Sequence, residues 1–177
     1  MFHFVLFVVS MSSDRSSRHS KIIGQFGEHL VCNFLSRSGF EATIVDHTGT
    51  DIIEYHEDSK ARMGISVKSR TSKADCTARA VRLSKRKEEQ DGFGKLRRAC
   101  EWFGCKPWIA VYFEWDDCAK LYLTRLDHYK AMHVEEGKNA SRWSMSEQRM
   151  SKLEADADVA YVELTFRKEH WSSLLKQ

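Results

Sequence analysis

Gly49-Thr-Asp51-Ile-Ile53 and, after a short polar break, Gly64-Ile-Ser-Val-Lys68-Ser-Arg70 are the stretches on which the reading of this chain turns. In the second, Ile65 and Val67 alternate with Gly64, Ser66, Lys68 and Arg70. A strand sends successive side chains to opposite faces, so Ser66 and Lys68 share one face while Val67 packs inward. In the first, Asp51 follows a turn over residues 46–50 and opens a strand that runs to Tyr55. Polar residues 56–61 turn that strand into the next. An acid and a lysine are thus brought together across a hairpin at the mouth of a half-buried sheet, a pairing suited to metal-dependent phosphodiester chemistry.

Working outward, Ile22, Ile23, Phe26, Leu30, Val31, Phe34 and Leu35 recur at helical spacing, which predicts a helix over 20–38. Ser20 is the expected cap and Gly39 the left-handed stop. A strand over 41–45 leads into the turn before Asp51. Downstream of Arg70 the chain is polar and basic as far as Val81. Ser84 is then the expected cap of a helix reaching Phe103, with Phe93, Leu96, Cys100 and Phe103 on one face. Residues 108–113 form a near-continuous apolar run, the mark of a central strand buried on both faces. Asp116-Asp117 turns into a strand at 120–124, and Asp127 is placed to cap a short helix to His133. Residues 134–158 read as loop plus a short helix, followed by a strand at 159–166 and a helix containing Trp171. The fold class is α/β: a mixed β-sheet flanked by helices in the order α-β-β-β-α-β. As domains, residues 1–20 read as a leader, 21–133 as the core and 134–177 as a C-terminal extension packing on it.

A chain of 177 residues, 42% hydrophobic and 30% charged, has enough apolar material for one domain with a real core and is not a disordered polymer. Five cysteines without a CxxC pair argue against a zinc site or a disulfide framework, and for a reducing, cytoplasmic setting. They read as small buried hydrophobes. The apolar run Phe2 to Val9 is too short to span a bilayer and has no basic flank or cleavage site, so no membrane partner is expected. The Asn139 sequon is discounted in that setting.

Net charge is only +3, but its distribution is uneven: residues 60–106 hold 14 Lys/Arg against five acids. A basic middle flanking the hairpin suits a polyanion, because each neutralised phosphate releases condensed counterions. Lys68, Arg70, Lys73, Arg82, Lys85, Arg86 and Lys87 are the candidates for phosphate contact. A solvated, charge-rich helix is the plainer alternative for such a run.

Together these pieces resemble the PD-(D/E)XK phosphodiesterase superfamily, the restriction-endonuclease-like fold, and within it the archaeal-type Holliday junction resolvases and their small bacterial relatives. The likeness rests on Gly24-Gln-Phe-Gly27-Glu28, similar to the family's first-helix motif, on Gly39-Phe40, and on the two hairpin stretches. It continues through Leu83-Ser-Lys85 and from Trp102 to Val111, and covers about residues 20–125. The resemblance implies an endonuclease acting on DNA, including branched or structured DNA, with Mg²⁺ or Mn²⁺ as cofactor and a homodimer as the assembly. Asp51 would be the chief carboxylate ligand, the Val67 carbonyl a second oxygen, and Glu28 a further ligand directly or through water. Lys68 would orient the attacking water or offset charge building on the phosphate.

Ser66 is a departure from the pattern, since the family places Glu, Asp or Gln there. A charged ligand is lost, and the alternative reading is a catalytically impaired DNA-binding protein. Magnesium often uses one or two carboxylates plus waters and substrate, so Asp51 and Glu28 can still serve it. An acid such as Glu88, Glu89 or Asp91 could take over the missing place. Taken singly, Asp51 reads as a turn residue, Lys68 as a solvated strand lysine and Glu28 as an exposed helical residue. Their combination at this spacing, beside the basic segment, is what reads as a site. His47 reads as structural, the five tryptophans as core or interface, and a Ser66–Lys68 nucleophilic dyad as remote without an oxyanion motif. An RNA-directed or partner-assembled subunit is a third option.

Overall fold

The computed structural model describes residues 18–72, 80–83, 93–115, 118–135 and 140–166. Its elements are α1 (His19–Ser36), β1 (Phe40–His47), β2 (Thr50–His56), β3 (Ala61–Thr71), β4 (Ala80–Arg82), α2 (Gly94–Phe103), β5 (Lys106–Glu114), β6 (Cys118–Arg125), α3 (Leu126–Glu135), β7 (Arg142–Ser144), α4 (Glu147–Glu154) and β8 (Val159–Thr165). Six strands form one sheet in the order β1-β2-β3-β5-β6-β8, and β4 pairs with β7 apart from it. β3 and β5 run parallel; the other pairs of the large sheet are antiparallel. The protein is therefore a mixed α/β fold, a central, mostly antiparallel sheet flanked by helices.

β5 shows why the apolar run is continuous. Ala110 and Tyr112 point to one face, where they meet Ile52, Ile65, Val67 and Leu121 beneath Ile23 and Val31 of α1. Ile109, Val111 and Phe113 point to the other, where Leu96, Cys100, Leu126, Tyr129, Trp143 and Leu153 cover them. Alternation by two with both faces buried leaves no polar position from Ile109 to Phe113.

Two glycines set how the helices meet the sheet. A Cβ at Gly27 would collide with the Ser69 hydroxyl and lie 3.3 Å from Tyr112 Cβ, so α1 reaches β3 and β5 only because that position is bare. Gly49, in the β1–β2 turn, has φ +114, and a Cβ there would sit 2.5 Å from the Lys95 carbonyl oxygen. The turn that leads into Asp51 is thereby seated on the first turn of α2.

Several sequence expectations need correcting. Arg18, not Ser20, occupies the N-cap of α1, and it makes no side-chain capping bond; Gly39 does take a left-handed φ of 84. The buried residues of α1 are Ile23, Gly27 and Val31, while Ile22 and Phe26 lie exposed (56% and 42%), because a spacing of four selects a narrower face than the apolar set implied. β1 extends to His47, so the turn shrinks to Thr48 and Gly49. Phe93 flanks α2 rather than belonging to it, and Phe103 is 40% exposed. Asp127 lies inside the first turn of α3, its Oδ1 accepting the His128 N–H at 2.7 Å. The short strands β4 and β7 have no counterpart among the expected elements. β8 lies beside β6 in the main sheet, where a strand at 159–166 is expected, and Trp143, Met145, Leu153 and Val159 are core residues. The leader through residue 17, the helix start at Ser84, the turn at 116–117 and the Trp171 helix lie outside the described residues.

Candidate functional site

β2 and β3 pair antiparallel with Ile52 opposite Ile65, which brings the start of β2 against the later part of β3. Thr50, fully buried, ties the two strands there: its hydroxyl lies 3.1 Å from the Ile52 carbonyl and 3.2 Å from that of Ile65. The next residue, Asp51, projects its carboxylate onto β3. Its Oδ2 accepts the Val67 N–H at 2.6 Å, the Ser66 hydroxyl at 3.2 Å and the Lys68 ammonium at 3.5 Å. Lys68 Nζ also donates to Ser66 Oγ at 2.8 Å and to the Val67 carbonyl at 2.9 Å. Asp51, Ser66, Val67 and Lys68 thus form one closed group. It stays open to solvent, with the Lys68 and Asp51 side chains 37% and 30% exposed.

Glu28 is not a hydrogen-bond partner of Asp51, Ser66 or Lys68. It is half-buried on α1, one residue past Gly27, the point at which the helix touches Ser69 beside Lys68. Its charge acts on Cys32, whose thiol is pushed up to about 11 by burial first, then by Glu54 and Glu28. Of the proposed phosphate contacts, Arg70 is exposed and donates to the Ala80 carbonyl at 2.6 Å, which fastens β4 beside β3. Arg82 is exposed on β4. Lys73, Lys85, Arg86 and Lys87 lie outside the described residues, as do Glu88, Glu89 and Asp91. His47 stacks edge-on against Trp102 and Phe103, at 5.8 and 5.2 Å.

The donor set at the hairpin suits a hard cation. Among the described residues, the three hydrogen bonds to Asp51 land on Oδ2, which leaves Oδ1 as the oxygen on offer, and the Val67 carbonyl keeps a second lone pair beside its bond to Lys68. One carboxylate with a carbonyl matches a magnesium ion that retains several waters. A Ser66–Lys68 nucleophilic pair has the contact distance, yet the Val67 N–H is already bonded to Asp51 and supplies no donor to an oxyanion.

Two features escaped the sequence. Glu54 alternates into the face beneath α1, is 1% exposed, and among the described residues neither of its carboxylate oxygens has a hydrogen-bond partner; burial pushes its carboxyl up to about 8. An acid in a strand that otherwise reads Ile-Ile-x-Tyr was the available signal. The second is a group of His128, Asp156 and Asp158, with ligand-type atoms within 4.8 Å of one another. His128 Nε2 lies 2.8 Å from Asp156 Oδ2, and Arg125 pairs with Asp158 at 3.4 Å. Burial pushes Asp156 upward, but the Asp158 N–H and His128 outweigh it and hold the carboxyl below its ordinary value. The residues lie 28 apart in sequence, beyond any spacing rule.

In class, this is an α/β protein carrying an acid–serine–lysine group on a central hairpin. No protein-family model matches the chain, and no curated protein matches it. Among solved structures it is similar to Hjc of Archaeoglobus fulgidus, a Holliday junction resolvase from an archaeal hyperthermophile. That likeness has 20% identity and a TM-score of 0.41, over 55% of this chain and 70% of that one. Among the described residues, no helix is long and apolar enough to cross a membrane.

Proposed function

We propose that this chain is a metal-dependent endonuclease that hydrolyses phosphodiester bonds in DNA, with branched or structured DNA among its substrates. The observation that carries the reading is the hydrogen-bonded group of Asp51, Ser66, Val67 and Lys68 on adjacent strands, open to solvent. The first-helix motif and the basic segment over 60–106 support it. Mg²⁺ or Mn²⁺ would be held by Asp51 and the Val67 carbonyl, with Glu28 joining directly or through water, and would supply Lewis acidity and an acidified water. Lys68 would set its positive charge against a phosphate oxygen, with Arg70 and Arg82 as further phosphate contacts. The test is a cleavage panel of single-stranded, duplex and four-way-junction DNA with Mg²⁺ or Mn²⁺. Equal cleavage by purified wild type and Asp51→Asn would refute the assignment.

A second reading is favoured by Ser66: a nuclease-fold protein that binds DNA without cutting it. The hydroxyl sits within bonding distance of both Asp51 and Lys68, where a charged metal ligand would complete the set. Cleavage gained by Ser66→Glu from an inert wild type would select this reading.

A further inference from the structure

Trp102 is the most exposed large apolar side chain among the described residues, at 71%. The His47 ring meets Trp102 and Phe103 edge-on, at 5.8 and 5.2 Å, which still leaves most of the indole to solvent. His47 pairs with Thr50, the residue before Asp51, so the indole stands beside the turn that carries the hairpin group. The first turn of α2 touches the same turn, since the Lys95 carbonyl is what a Cβ at Gly49 would strike. At about 100° per residue, Lys95, Arg98 and Trp102 fall within about 60° of one another around the helix. All three are exposed, while Leu96, Ala99 and Cys100 are buried. α2 holds three cations and one acid, and that acid, Glu101, stands about 100° round from Trp102.

We propose that this face of α2 guides one strand of DNA away from the hairpin group, with Trp102 stacking on a base where pairing ends. This rests on the hairpin being the DNA site, and it assigns to Trp102 the selection of a branch or strand end. From Lys95 to Trp102 the helix rises about 10 Å, or three steps of a strand at roughly 3.4 Å each. Lys95 and Arg98 supply charge for the phosphates on the way. A base inside a duplex is covered on both faces by its neighbours, so an indole finds an open face only at a fork, a flap or an end. An aromatic stack accepts any base, which gives selection by shape without selection by sequence. A protein partner docking on the same indole would have to offset the desolvation of two cations, whereas a polyanion gains from them.

The test is anisotropy of a labelled forked DNA and a continuous duplex of equal length, titrated without divalent metal at several salt concentrations. Wild type should prefer the fork by about tenfold, the size of one base–aromatic stack. Trp102→Ala, a change at an exposed position, should bring the ratio of the two affinities close to one, and Trp102→Phe should restore most of it. Lys95→Glu/Arg98→Glu should weaken binding of both DNAs and shrink the log–log salt slope on the duplex by about 1.8, at roughly 0.9 per phosphate. Equal binding of fork and duplex by wild type, or an undiminished preference in Trp102→Ala, overturns the proposal; an unchanged salt slope overturns the path along α2. A preference lost together with a change of mass in light scattering assigns Trp102 to a protein interface and overturns it too. Because the readout is binding, a protein that prefers forks through Trp102 yet cleaves nothing would sink the nuclease reading and leave this one standing.

Discussion

At the scale of single residues, Asp51 does the gathering. One carboxylate oxygen collects a backbone N–H, a hydroxyl and an ammonium, so Asp51→Asn removes the charge on which both Lys68 and a cation depend. Metal-dependent cleavage by this variant should fall by a hundredfold or more, with DNA binding within about threefold of wild type; nuclease assays and anisotropy on one preparation check both. Ser66→Glu should tighten Mn²⁺ binding, read by calorimetry, because a second carboxylate is added beside the first. These two positions were legible in the sequence because a strand's period of two fixes which neighbours share a face. Glu28 was legible only as a motif: helix position says that it borders β3, and nothing in spacing says how far its carboxylate reaches. The sequence pattern places Thr50 in a turn, whereas its buried hydroxyl clamps the hairpin just ahead of Asp51.

At the scale of elements, the hairpin is held in place by the helix behind its turn. Gly49 combines a left-handed backbone with contact against the Lys95 carbonyl, and no rotamer change can make room for a Cβ against backbone. Gly49→Ala should therefore cost on the order of 2–3 kcal/mol, measured by urea unfolding, and lower activity by displacing Asp51 rather than by touching it. The long strands and α1 were readable because their apolar periods run over many residues. β4 and β7, three residues each, carry too little pattern to be seen. Their pairing joins segments 60 residues apart, and the decisive anchor, Trp143 under Tyr129 and Tyr122, is a tertiary contact. The exposed Ile22 and Phe26 show the opposite limit: helical spacing names an apolar face wider than the sheet can cover.

For the whole molecule, Glu54 ties stability to pH. Its carboxyl is raised to about 8 by burial beneath α1, against an ordinary value near 4.5. The folded state therefore holds a proton that the unfolded chain has released. The stabilisation is complete below about pH 4.5, declines as pH rises and is gone above about pH 8. Relative to Glu54→Gln, the wild type should lose on the order of 5 kcal/mol between those limits, seen as a falling unfolding midpoint that the variant does not share. A flat difference across pH 5–8 would refute this account of Glu54. Sheet order has its own consequence for biosynthesis. β8 closes the sheet beside β6, with Val159 and the preceding Leu153 plugging the core beneath it. During translation the earlier strands must wait for their last neighbour until Thr165 has emerged from the ribosomal tunnel. A message broken off before codon 159 would yield an aggregation-prone chain, even though every residue of the Asp51 hairpin had already been made.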